Sequence, residues 1–191
     1  MLADVPPHTA LLRDVANTLD AEDGTDGWSS PGALAGWLRA HGLLPATARV
    51  TARVTAGDLR RAVALRDGLR AAMTAHHDGS GDSPIPELDT LAERLPLRLR
   101  FDLTSPRLAA MGGGVEAALA GILVAVQAAA ADGTWRRLKL CPDQSCRVAF
   151  VDTSKNRSRS WCSMQVCGNR HKTRTYRSRR GSTHPTSSGD G

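Results

Sequence analysis

Four cysteines, Cys141, Cys146, Cys162 and Cys167, are the residues best suited to do chemistry in this chain. They form two close pairs of the pattern C-x4-C, with fifteen residues between the pairs. Two short loops joined by a longer one can bring four thiolates to one point, as a tetrahedral metal site requires. Thiolates favour zinc over hard cations and also hold iron–sulfur clusters, but ferredoxin-type clusters use other spacings. With four protein ligands no position is left for a reactive water, so the expectation is one structural Zn2+ ion that holds a fold. Two disulfides or redox-active thiols are the competing readings.

The cysteines lie in the cationic part of the chain. Residues 136–191 carry 13 Lys and Arg against 3 Asp and Glu, whereas residues 1–135 carry 12 against 16. The overall charge of +6 conceals this asymmetry, which argues for a polyanionic partner at the C-terminal end. After Cys167 the chain reads GNRHKTRTYRSRR. On a helix, Arg170, Arg174 and Arg177 fall on the stripe of Cys167, while Lys172 and Arg179 point to the other side. Lys172, Arg174, Arg177, Arg179 and Arg180 are expected to meet phosphates. Lys155, Arg157 and Arg159, between the cysteine pairs, form a second cationic lip or a solvated charge run. Arg170 has two readings, a nucleic-acid contact or an internal partner such as Asp152 or a carbonyl. Gly168 and Asn169 read as turn and cap residues, and His171 as a surface residue, since four thiolates already complete the site.

The preceding segments must position this site. Aromatic residues make up 4% of the chain and hydrophobic residues 41%, so Leu, Val and Ala have to fill the core, and helices suit them. Leu11, Leu12, Val15 and Leu19 have helical spacing over residues 8–19. Ser30-Pro31 predicts a second helix stopped by Gly42. Thr55 and Asp58 predict a capping box opening a helix to about His76, with Gly68 an unfavourable residue inside it. Residues 78–86 read as a loop and Glu87–Leu95 as a short helix. Leu97, Leu99, Phe101 and Leu103 then alternate with Arg98, Arg100 and Asp102, the pattern of a half-buried strand. A return strand over Leu108–Met111 and an apolar helix over Val115–Ala131 complete the pattern. Gly112-Gly113-Gly114 lacks the Lys-Ser/Thr of a phosphate loop. The fold expected is α+β: a mostly helical N-terminal domain, residues 1–132, with a small antiparallel hairpin, then a treble-clef-like zinc finger over residues 136–180. Residues 181–191 are expected to be a disordered tail.

The run LCPDQSCRVAFVDTSKNRSRSWCSMQVCGNRHKTRTYRSRR closely resembles the bacterial CGNR zinc-finger family, named for the tetrapeptide at Cys167–Arg170. The front half resembles the ABATE domain usually paired with that finger, through Ala16-Asn17-Thr18-Leu19-Asp20 and the helix containing Trp37-Leu38. Val151, Lys155 and Ser160 depart from the aromatic and two arginines commonly found there, and Ser160 removes one candidate phosphate contact. The resemblance implies a DNA-binding transcription regulator linked to stress responses.

These readings together describe a cytoplasmic regulator whose finger binds DNA and whose N-terminal domain senses a small-molecule effector or forms a homodimer. An RNA-binding or protein-interaction module is the alternative, with few aromatic platforms for single-stranded RNA. Asn17 and Thr18 either line an effector pocket or cap a helix terminus, and Val115–Ala131 is either core or a dimer face. No signal sequence or membrane span is expected, since the longest apolar run, Ala117–Ala131, is shorter than a membrane span and contains Gln127. Neither paired carboxylates nor a nucleophile–base arrangement points to an enzyme.

Overall fold

The computed structural model describes residues 4–45, 54–79 and 84–181, the side chains of residues 179–181 excepted. The segment 182–191, most of the expected tail, and the middle of the 78–86 loop lie outside the described residues. Helix α1 (Pro7–Ala16) opens on Pro7 at its first position and buries Leu12, Val15 and Ala16. It stops before Leu19 because Asn17 leaves the helix and bonds elsewhere. Leu19–Asp20 (β1) and Thr25–Asp26 (β2) form a short antiparallel ladder around the acidic loop. In α2 (Pro31–Ala40) the Ser30 hydroxyl accepts from the Ala33 N–H, the expected N-cap.

Helix α3 (Ala56–Asp78) begins with the expected capping box: Thr55 Oγ1 accepts from the Asp58 N–H, and Asp58 accepts from the Thr55 N–H. It ends at Gly79, whose φ of 78° is easy only for glycine. Gly68 has a packing role: a Cβ built there would lie 2.5 Å from Leu88 Cδ2. Leu88 belongs to α4 (Pro86–Ala92), so the absent side chain lets α4 approach α3. The propensity cost of Gly68 is offset by this contact.

Helix α5 (Gly114–Ala131) is long and apolar enough to cross a membrane, yet Val115, Ala118, Leu119, Ala120, Ile122, Ala125 and Ala129 are buried inside the protein. It is a core helix packed against α1, α3 and the hairpin of β3 (Leu97–Arg100) and β4 (Arg107–Ala110). That hairpin departs from expectation. Strand β3 ends at Arg100, and Leu99, Phe101 and Leu103 are exposed rather than half-buried. Beyond Arg100 the chain turns, Asp102 Oδ1 accepting from the N–H groups of Thr104 and Ser105.

After a 3-10 turn at Trp135–Arg137, β5 (Leu138–Leu140) pairs antiparallel with β6 (Ala149–Val151). Leu138 and Leu140 of β5, with Ala149 and Val151 of β6, enter the same core as α1, α3 and α5. Phe150, on the other face, packs with the cysteines. The last helix, α6 (Asn169–Gly181), follows a π-helical turn at Met164–Gly168. The architecture is therefore mostly helical with small antiparallel hairpins; among the described residues these form three two-stranded sheets.

Candidate metal centre and nucleic-acid interface

The first cysteine pair occupies the tip of the β5–β6 hairpin. Cys141 N–H donates to the Val148 carbonyl, and Cys146 N–H and Arg147 N–H both donate to the Asp143 carbonyl. Asp143 Oδ1 also accepts from the N–H and hydroxyl of Ser145, a local turn that folds the knuckle. The second pair is placed by the Ser163 cap: its hydroxyl accepts from Val166 N–H and starts the π-turn carrying Cys167.

The four Sγ atoms lie within 4.8 Å of one another, with Cys146–Cys162 at 3.5 Å and Cys162–Cys167 at 3.6 Å. A tetrahedral zinc–thiolate site, with Zn–S bonds of about 2.3 Å, requires S–S separations near 3.8 Å, so the donor set fits. Burial raises the thiols of Cys162 and Cys167, and neighbouring sulfur Cys146 adds to it in each case. Four thiolates this close repel one another unless a cation neutralises them. Cys141, Cys146, Cys162 and Cys167 thus hold one structural zinc ion. Bound there, the ion ties α6 and its preceding turn to the hairpin tip.

Between the cysteine pairs, the 152–160 loop is organised by a buried ion pair. Lys139 Nζ lies 2.7 Å from Asp152 Oδ2 and donates also to the carbonyls of Arg157 and Arg159. Asp152 accepts in addition from Ser154 and from Arg159 N–H. Burial would raise the Asp152 carboxyl, but the bonds from Lys139 and Ser154 bring it below its ordinary value.

The nine cations expected at the interface divide by environment. Arg159 is exposed but engaged within its own loop, its Nε donating to the Trp161 carbonyl and its Nη2 to that of Cys162, while its guanidinium sits 5.0 Å from the centre of the Phe150 ring. Arg170 has an internal partner, though not Asp152, which Lys139 already holds. It pairs with Glu22 of the acidic loop at 2.7 Å and contacts Ser145. Arg174 pairs at 2.7 Å with the buried carboxylate of Asp143 and holds it down at about 2. Lys155, Arg157, Lys172 and Arg177 have exposed side chains. Arg179 and Arg180 continue α6, their side chains outside the described residues. His171 is exposed, beside Trp161 at 5.0 Å.

Several structural residues of this site have no metal-ligand or basic-run pattern to announce them. The side chain of Asn17 bonds both backbone groups of Ala149, while Thr18 Oγ1 donates to the Val15 carbonyl. Arg70, buried in α3, donates to the carbonyls of Ala16 and Arg147 and so spans from α1 to the knuckle. His76 bonds the Leu138 carbonyl, and His77 that of Ser160. Only the two Asp-x-Ser turns, at Asp143 and Asp152, carried a readable local signal.

Comparison with known families agrees with this arrangement. Residues 137–180 match the CGNR zinc finger. No curated protein matches the chain significantly. Residues 9–135, more than half of the chain, match the ABATE family, whose description is "putative stress-induced transcription regulator". The helical scaffold with its four-cysteine metal centre therefore belongs to the ABATE family and carries a CGNR zinc finger after the ABATE region.

Proposed function

We propose that this protein is a cytoplasmic transcription regulator that binds duplex DNA through the cationic face of its zinc finger. The observation carrying this reading is α6, a helix free of acidic residues that leaves the metal centre with Lys172 and Arg177 exposed. Neither has an ion-pair partner among the described residues, and Lys155 and Arg157 add exposed cations from the loop between the cysteine pairs. Arg170 and Arg174 act differently: their ion pairs orient α6 against Glu22 and Asp143. In this reading phosphate contacts dominate affinity, and the ABATE region supplies sensing or dimerisation. No catalytic step is assigned.

The test is binding of the zinc-loaded full chain to duplex DNA across a salt series. Affinity should fall steeply with salt, and Lys172→Gln with Arg177→Gln should flatten the log–log slope by roughly 2, about 0.9 per lost contact. No measurable binding at low salt overturns the reading. Tighter, salt-sensitive binding to RNA or to an acidic protein would replace it with that partner.

A further inference from the structure

We infer that the cavity between the end of α3, the 3-10 turn at Trp135–Arg137 and the 152–160 loop binds a phosphate-class oxyanion. The site shares no lining residue with α6 and does not rest on DNA binding. Its volume is about 280 Å³, and His76, His77, Gly79, Arg136, Lys139 and Arg157 line it. Pockets for drug-sized ligands start at about 300 Å³ and have largely apolar walls. This one is smaller, and every lining residue except Gly79 is a cation or an imidazole; among the described residues no carboxylate lines it. A compact anion matches that size and charge.

The lining groups divide into wall and contacts. Lys139 Nζ spends its donors on Asp152 Oδ2 and the carbonyls of Arg157 and Arg159, and Asp152 balances its charge. Both ring nitrogens of His77 are engaged, with Asp78 Oδ1 and with the Ser160 carbonyl. These two residues shape the wall. His76 Nδ1 donates to the Leu138 carbonyl, which leaves Nε2 as its second polar atom. Burial lowers the His76 pKa, the bond to Leu138 opposes this, and the charges of Arg136 and Lys139 lower it further. Positive charge therefore prevails at this ring, Asp152 and Asp78 notwithstanding.

Arg157 is the principal contact. Its φ of 53° lies in the left-handed region, which a residue other than glycine adopts at a cost. Its carbonyl is fixed 2.6 Å from Lys139 Nζ, and its N–H donates to the Ser154 carbonyl. The backbone is thus held from both sides. The guanidinium stays exposed at the cavity, without an ion-pair partner among the described residues. Glycine or asparagine would suit this turn at less cost. A strained backbone that presents a fixed arginine to a cationic cavity is the arrangement of a preorganised anion clamp. Arg136 adds a second guanidinium from the 3-10 turn.

Titration of the zinc-loaded full chain with inorganic phosphate at constant ionic strength, followed by amide NMR shifts, tests this. Saturable shifts confined to the lining residues and their neighbours are expected, with a dissociation constant of about 1 mM or below. Arg157→Gln should weaken binding about tenfold and Arg157→Glu should abolish it. Neither variant removes the backbone bonds that fix the loop. Arg100→Gln, which removes an exposed cation of β3, should leave binding unchanged. Adding duplex DNA identifies the source of the anion: displacement of phosphate assigns the cavity to a backbone phosphate, and simultaneous binding assigns it to a free phosphorylated ligand. Phosphate binding by a chain that does not bind DNA would retain this site and reject only the DNA reading. No saturation up to about 10 mM, shifts centred on α6 instead, or binding that Arg157→Glu leaves intact overturns the proposal.

Discussion

The side-chain amide of Asn17 pairs with both backbone groups of Ala149, donating to its carbonyl at 3.0 Å and accepting from its N–H at 2.7 Å. One side chain from the end of α1 thereby completes the outer edge of β6, which would otherwise leave buried backbone groups unpaired. Replacing Asn17 by Ala should cost about 2–3 kcal/mol, since two bonds vanish and two buried groups are orphaned. Denaturant unfolding of the zinc-loaded protein measures this; an unchanged midpoint would refute the edge-completing role.

Gly68→Ala provides a case where local propensity and packing oppose each other. In an isolated helix the change should stabilise by about 1 kcal/mol. Here the new methyl would meet Leu88 Cδ2 at 2.5 Å and Cγ at 2.7 Å, and overpacking of this kind costs about 1–3 kcal/mol. The net expectation is a lowered thermal midpoint, with Leu88→Ala less harmful in the Gly68→Ala background than alone. A raised midpoint for Gly68→Ala would show that α4 yields readily.

Zinc removal should unfold the protein in part. The β5–β6 hairpin keeps its hold on the main core through Leu138, Leu140, Ala149 and Val151. By contrast, α6 and the turn before it depend on the metal, because Met164, Val166 and Tyr176 are exposed and provide little apolar burial. Chelation should therefore open protease cleavage after residue 160 while the buried environment of Trp28 persists. Loss of the whole fold in a single transition with the metal would contradict this division.

The acid limb of stability should include Asp26. Burial opposes its charge, but hydrogen bonds from Arg66 and the Trp28 N–H, with the Arg66 charge, more than offset it and lower its pKa. A lowered folded-state pKa contributes stability that is present above the ordinary aspartate value, about 3.9, and is lost as pH falls through the lower folded value. Asp26→Asn should then cost about 2 kcal/mol near neutrality, through the lost charged hydrogen bond. Its difference from the unsubstituted protein should shrink below about pH 4. A difference independent of pH would show that the contribution is steric rather than ionic.

The metal centre was legible because its information is local: residue type and spacing determine which chelate loops can close. The Thr55 capping box and the Ser30 cap were legible for the same reason. Period-2 alternation at Leu97–Leu103 predicted a strand that forms only over Leu97–Arg100, and it misplaced the apolar row, since alternation tells which residues share a face and not what covers that face. The roles of Arg170 and Arg174 were set by Glu22, 148 residues away, and by the buried Asp143. A basic run looks alike in sequence whether its charges meet solvent, phosphate or a carboxylate brought near by the fold. Asn17, at 132 residues from Ala149, is hidden by the same separation.

The β5–β6 hairpin serves two interiors, with Leu138, Leu140, Ala149 and Val151 in the helical core and Phe150 beside the thiolates. Grafting therefore cannot treat the finger as a detachable cassette. A hybrid joined near residue 136 would bring a foreign hairpin against Asn17, Arg70 and His76, whose bonds are made to the backbone of residues 138–149. Backbone partners tolerate exchange of side chains but not a shift in strand register. Compatible fingers should be those that preserve the chain length between the first β5 residue and Ala149, whatever their basic residues happen to be.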